Sequence, residues 1–234
     1  MLSWPQTQSQ TKNDCHHPFL RSCAFRLACR LAGRVDFLDV YADPRLKNMT
    51  SAQIKAMQEK IGVKPDGFWG PKSIDAVQKH LRNLMPRDNP WPNTDQASLT
   101  RFYGAAGDED RLCDLIVEGL GVKYVGEAVR TIRCNRKIAG SLLRIIKKLS
   151  LSHPYVLADY NGCYNNRSMR GGTAPSLHAR GAAIDFLADE NGNKTSWPAK
   201  ATMPLEVMEI FAIEGVLSAG AFWGRDAMHM QFTQ

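Results

Sequence analysis

No stretch of this 234-residue chain stays apolar for the roughly 18–20 residues that a membrane-spanning helix needs, so no span is expected. No two cysteines stand in a C-x-x-C pair. The six, Cys15, Cys23, Cys29, Cys113, Cys134 and Cys163, have spacings that match neither a disulfide framework nor a structural zinc motif. They read as free thiols, mostly buried fillers, in a chain made in a reducing compartment. Cys15, His16, His17 and Cys23 are metal-ligating types placed close together, but no second pair matches them. There is no internal repeat and no low-complexity tract. A secretory signal is also missing, because arginines break the one N-terminal apolar run.

Charge is present but unevenly spread. The net charge is +7, yet residues 1–48 hold 7 Lys/Arg against 4 Asp/Glu and residues 49–85 hold 6 against 3, so nearly all the excess lies in the first 85 residues. Such a basic part suits an anionic polymer or surface, and by charge alone nucleic acid, an anionic membrane leaflet and a bacterial cell wall all qualify.

Residues 1–48 read as a basic extension. Within them, residues 19–35 carry Arg26, Arg30 and Arg34 every fourth position, one basic stripe on a helix, with Phe19, Cys23, Leu27 and Leu31 opposite. An interfacial amphipathic helix, a packed surface helix and an accessory stretch ahead of a start at Met49 are the three readings. Residues 49–85 form a small helical unit. Ile54, Met57 and Ile61 line one helix face with Gly62 as its stop, Asp66-Gly67 is a turn, and Pro71 opens a second helix with Ile74, Val77 and Leu81 on its apolar face. Residues 86–98, with three prolines and several turn formers, read as a linker. Residues 99–234 are long enough for a further domain. There, strands are expected within 122–132, 155–160, 182–187 and 228–233, and helices over 134–149 and 204–215. This mixed order predicts an α+β fold.

Two segments near the C-terminus carry the chemistry. Ser176-x-His178-x-x-Gly181-x-Ala183-x-Asp185 places a histidine and an aspartate seven apart across a glycine bend, and Asp226-x-x-His229 adds a second imidazole and a second carboxylate. Two imidazoles and one carboxylate make a three-ligand zinc site with its fourth position open. A further carboxylate beside it can act as general base, and a nearby arginine, Arg167 or Arg170, can face a developing oxyanion. Ser176 is placed to orient a ligand or substrate. Either segment alone recurs often by chance; the combination points to metal-assisted hydrolysis.

The two segments together, with Gly162, Arg167 and Arg170 upstream and Gly220, Trp223 and Gly224 downstream, resemble the zinc D-Ala-D-Ala carboxypeptidase and L-Ala-D-Glu endopeptidase family of the VanY type over residues 99–234. The resemblance implies that His178, Asp185 and His229 hold one Zn2+ per chain and that Asp226 is the acid/base, standing where many members carry glutamate. It also implies that the family's arginine is Arg167 or Arg170. Residues 49–85 are similar to a small helical peptidoglycan-binding domain through Met57-Gln58, Asp66 to Pro71 and Ala76 to Gln78, departing from that pattern after Leu81. Phe68 and Trp69 are then either core residues or a surface for stacking sugars. The layout resembles that of phage endolysins. It implies a helical wall-binding domain before a mixed α+β zinc peptidase domain with an antiparallel sheet, acting as a monomer on peptidoglycan and not on nucleic acid. The bond cleaved is L-Ala-D-Glu or, in the trimming members of the family, D-Ala-D-Ala; a non-catalytic wall-binding protein is the alternative from another class. Synthesis in the host cytoplasm, release to the periplasm through a holin-type pore and attraction of residues 19–35 to an anionic outer membrane complete the expectation.

Overall fold

Thr50 starts the first helix of the computed structural model, which describes residues 49–234. The basic stripe of residues 19–35 and the Cys15, His16, His17, Cys23 group lie outside the described residues. Thr50 Oγ1 accepts the Gln53 N–H at 3.3 Å, and Gln53 Oε1 accepts the Thr50 N–H at 2.6 Å, a reciprocal cap for α1 (Ser51–Lys60). The turn to α2 (Pro71–Leu84) is organised by a buried polar side chain rather than by apolar packing. Gln58 Nε2 donates to Asp66 Oδ1 and to the Phe68 carbonyl, both at 2.9 Å, while its Oε1 accepts the Gly67 N–H at 2.8 Å. Met57, Val77 and Leu81 are buried as the periodicity predicts, whereas Ile74 is exposed and Ile54 and Ile61 are only half-buried. A 35-residue helical pair has too little apolar surface to enclose all its own faces.

Residues 49–234 belong to one compact unit. Lys60 Nζ meets Glu206 at 2.9 Å and Glu209 at 2.7 Å, and His80 Nε2 lies 2.7 Å from Glu209 Oε1, so α1 and α2 are tied to α7 (Leu205–Ile213). The stretch read as a linker takes part in this packing. Trp91 is buried, donates from Nε1 to the Glu214 carbonyl at 2.7 Å and stands edge-on to Phe232 at 5.1 Å. Asp95 caps α3 (Gln96–Tyr103), a helix absent from the sequence-based expectation.

Two short antiparallel pairs follow. β1 (Leu112–Ile116) pairs with β4 (Thr131–Asn135), and β2 (Lys123–Tyr124) with β3 (Glu127–Ala128) in a hairpin. Beyond them, α4 (Ala139–Ser152) begins five residues later than periodicity places it, because Cys134 belongs to β4. Its apolar side, Leu142, Ile145, Ile146 and Leu149, is buried as predicted. The expected strand over 155–160 is instead α5 (Pro154–Leu157), opened by its proline, with β5 (Tyr160–Gly162) only at the end. β6 (Ala183–Phe186), the short α6 (Ala188–Asn191), α7, β7 (Leu217–Ser218), α8 (Ala219–Trp223) and β8 (His229–Gln231) complete the chain. The larger sheet is antiparallel in the order β5-β6-β8-β7. Its inner face packs Ile184, Phe186 and Met230 against the helices, with Phe186 and Phe211 rings 6.3 Å apart. The fold is thus mixed α and β with small antiparallel sheets, as an α+β reading requires.

Replacing Gln58 by leucine removes every partner this side chain gives the 66–68 turn and leaves the Gly67 N–H unpaired. Urea unfolding of Gln58→Leu should show a loss of about 1–3 kcal/mol at unchanged m-value; a difference of a few tenths would mean that the turn does not depend on this residue.

Candidate metal centre

Strand register brings the first two groups together. In the antiparallel β6–β8 pair, Asp185 stands directly opposite His229. Directly opposed residues project to the same face, so the carboxylate and the imidazole share it while Ile184 and Met230 point to the core. The third group arrives by a tight turn. Ser176 Oγ accepts the His178 N–H at 3.3 Å and caps the 3₁₀ turn Leu177–Arg180. Gly181 then reverses the chain in the left-handed region at φ 60°, where a Cβ would come within 2.8 Å of the Asn135 backbone nitrogen. Glycine alone meets both conditions, which lets His178 fold back over Asp185.

The resulting geometry is a small triangle. His178 Nε2 lies 3.1 Å from His229 Nδ1 and 3.3 Å from Asp185 Oδ1, and His229 Nδ1 lies 3.0 Å from the same oxygen. A tetrahedral ion with bonds of about 2.0–2.1 Å sets its ligand atoms about 3.3 Å apart, so these separations fit one ion. Proton placement supports the same conclusion. His178 Nδ1 faces the Cys163 carbonyl at 2.7 Å and therefore carries the proton, which leaves Nε2 as a lone pair. His229 Nε2 faces Gln231 Oε1 at 3.3 Å, and Gln231 Nε2 donates onward to Thr233 Oγ1 at 2.6 Å, which orients the amide and leaves His229 Nδ1 as a lone pair too. Two lone pairs and a carboxylate oxygen thus converge where a cation belongs.

The electrostatics follow from burial. His178 is 3% exposed and Asp185 8%. Burial opposes ionisation of Asp185, but with protons instead of an ion in the triangle, hydrogen bonds and charge from His178 and then His229 outweigh it and hold the carboxyl below the usual carboxylate range. Burial likewise opposes charging of His229, while the hydrogen bond and charge of Asp185, with Asp226, push it up. Asp226 behaves differently. Burial raises it above the ordinary aspartate value, assisted by the charge of Asp185 and opposed by His229 and Arg170. Its Oδ1 is buried with no hydrogen-bond partner, and its backbone sits at φ 58°, a left-handed conformation uncommon outside glycine. Strain and an unpaired carboxylate at one residue are features of a working site rather than of a structural one.

His178, Asp185, Asp226 and His229 line one cavity of about 390 Å³, together with Arg167, Arg170 and Ser176. A second cavity of about 460 Å³ shares Arg167, Arg170, His178 and Asp185 and extends toward Tyr124, Tyr160 and Asn165. The two cavities therefore adjoin at His178 and Asp185. Seven of the nine residues singled out from the sequence meet here, and Ser176 has a capping bond as well as a place in the wall. Phe68 and Trp69 do not line either cavity. Phe68 is 73% exposed, which excludes a core role, and Trp69 stands edge-on to Trp197 at 5.3 Å.

Three contributors escape sequence reasoning. Gln231 had a signal, since strand alternation puts it on the face of His229. Trp223, which stacks on His229 at 6.0 Å and 28°, stood in the resembling stretch but without a role, and the Cys163 carbonyl had no signal, because only folding brings them near. Comparison of the chain with protein-family models, curated proteins and solved structures finds no match.

Titration with Zn2+, followed by calorimetry, should give one equivalent per chain. His229→Ala should abolish that binding, and Gln231→Leu, which frees the imidazole to turn, should weaken it by about 10-fold or more. Full-strength binding in His229→Ala would place the ion elsewhere.

Proposed function

We propose that this chain is a zinc-dependent peptidase that cleaves the peptide stem of peptidoglycan, at the bond between L-Ala and D-Glu, and so acts as a lytic enzyme of the endolysin type. The observation that carries the reading is the His178, Asp185, His229 triangle with the unpartnered carboxylate of Asp226 in the same cavity. A bound Zn2+ supplies a polarised carbonyl and a water acidified to near neutrality. Asp226 takes the proton of the attacking water on its free oxygen and delivers it to the leaving amine as the C–N bond breaks. Its raised affinity for a proton suits both halves of that transfer, because a base near its own pKa can also act as the acid. Arg167 and Arg170, which line both cavities, place positive charge where the carbonyl oxygen becomes anionic or where a stem carboxylate is held. A structural site would have no use for a second acidic group strained into the wall.

The cleft supports internal cleavage over trimming. A carboxypeptidase needs one end of its groove closed around a terminal residue, whereas the two cavities here meet at the ligands and leave room for substrate on either side. Removal of D-Ala from D-Ala-D-Ala is the second reading and uses the same residues.

Asparagine is the cleaner replacement for Asp226, since it tolerates the left-handed backbone and removes only the base. Asp226→Asn should keep its fold and its zinc while turnover falls by about 10²–10⁴, read as clearing of permeabilised Gram-negative cells. Lysis that persists in this variant would defeat the mechanism. Mass spectrometry of digested muropeptides settles the bond: a new L-Ala carboxyl end supports the endopeptidase, and loss of terminal D-Ala supports the trimming reading.

A further inference from the structure

A third cavity, of about 520 Å³, lies between the helical pair and the end of the chain. It shares Thr94 and Trp223 with the cavity of the metal triangle, so the two adjoin at these residues. Its walls come from α2 and the segment after it (Gln78, Arg82, Arg87) and from α8 (Phe222). These walls are held in place. Gln78 Nε2 donates to the Ala221 and Phe222 carbonyls at 3.3 and 3.4 Å, and the Gln234 N–H bonds the Pro92 carbonyl at 3.0 Å. The Arg82 guanidinium rests 5.0 Å above the Phe222 ring, a contact that aims the group along the trough without neutralising it. Among the described residues neither Arg82 nor Arg87 forms a salt bridge, in contrast to Arg133 and Arg144, which are both paired with carboxylates. Arg225, in the wall of the triangle's cavity, likewise has no salt bridge among the described residues.

We propose that this third cavity is a binding subsite for a carboxylate-bearing stretch of the same extended substrate whose scissile bond lies at the metal triangle. The inference rests on the function proposed above and makes the helical pair one wall of the substrate channel. Adjoining cavities lined by arginines without salt bridges, whose acidic wall groups among the described residues, Asp185 and Asp226, are gathered at the triangle, select an anionic chain rather than a neutral one. A cross-linked stem peptide extending from the cleaved bond carries such carboxylates, and a short fragment ending at that bond would not reach the subsite.

The test uses the full chain, stripped of metal so that nothing is cut, and measures co-sedimentation with purified peptidoglycan sacculi. Reversing both trough charges in Arg82→Glu/Arg87→Glu should raise the Kd about 5- to 10-fold. Lys147→Glu/Lys148→Glu makes the same change of charge on exposed residues of α4, outside the trough, and should shift it less than twofold. After zinc is restored, the arginine variant should show a raised KM on sacculi with unchanged kcat, and unchanged kinetics on a short stem peptide. Equal binding by the arginine variant and wild type overturns the subsite. Equal weakening in the lysine control also overturns it, since general attraction would then explain the effect. Failure of the wild type to cleave either substrate, with binding still dependent on the arginines, sinks the peptidase reading and leaves the subsite standing.

Discussion

Two imidazole lone pairs and a carboxylate oxygen pressed to within 3.3 Å of one another repel unless a cation lies among them. The surrounding elements are arranged to hold that unfavourable grouping in place. A ladder of backbone hydrogen bonds keeps Asp185 opposite His229, a glycine reversal brings in His178, and the far nitrogen of each ring is tied to a protein oxygen. Folding supplies the energy for assembly, since the same strands bury Ile184, Phe186 and Met230 on the opposite face. A metal would then find its ligands already oriented, at little further entropic cost.

Around that centre, the elements divide labour by position. The β6–β8 pair is central in its sheet and rigid, as a geometry demanding tenths of an ångström requires. Asp226 lies in the loop between α8 and β8, where a left-handed backbone is tolerated and a side chain can be half-buried without a partner. Arg167, Arg170 and Trp223 line the same cavity and add charge and aromatic surface to its wall. The helical pair does not stand apart from this plan. Its salt bridges to α7, the buried Trp91 and the Gln78 bonds to α8 make it part of the wall beside the cleft.

Much of this was legible in advance, for reasons that differ by element. α4 and α7 carry continuous apolar faces, so local periodicity reports burial there, whereas the alternation in the strands of Asp185 and His229 gives the faces but not that Asp185 and Gln231 are buried as well. It fails where polar side chains do the packing. Gln58 replaces an apolar contact in the helical pair, and Ile74 is left exposed although its spacing fits a core face. Proline-rich composition marked 86–98 as a linker, yet composition does not see that Trp91 has a pocket waiting across the fold. The strand expected over 155–160 gave way to a helix turn because a proline at its start outweighs β-branched propensity over so short a run.

What the chain's order of residues determined by itself was the inventory: three ligating side chains and a spare acid, a glycine free to take a left-handed turn, and strand alternation that puts Asp185 and Gln231 on polar faces. Those are local properties of backbone conformation and side-chain chemistry. Only the tertiary structure decided that His178 Nε2 rather than Nδ1 faces the centre, that Asp226 keeps an oxygen unpaired, and that helix α2 lines a trough leading to the site. Such outcomes depend on groups from 15 to 143 residues apart meeting at hydrogen-bond distance, and no local pattern encodes which surfaces will meet.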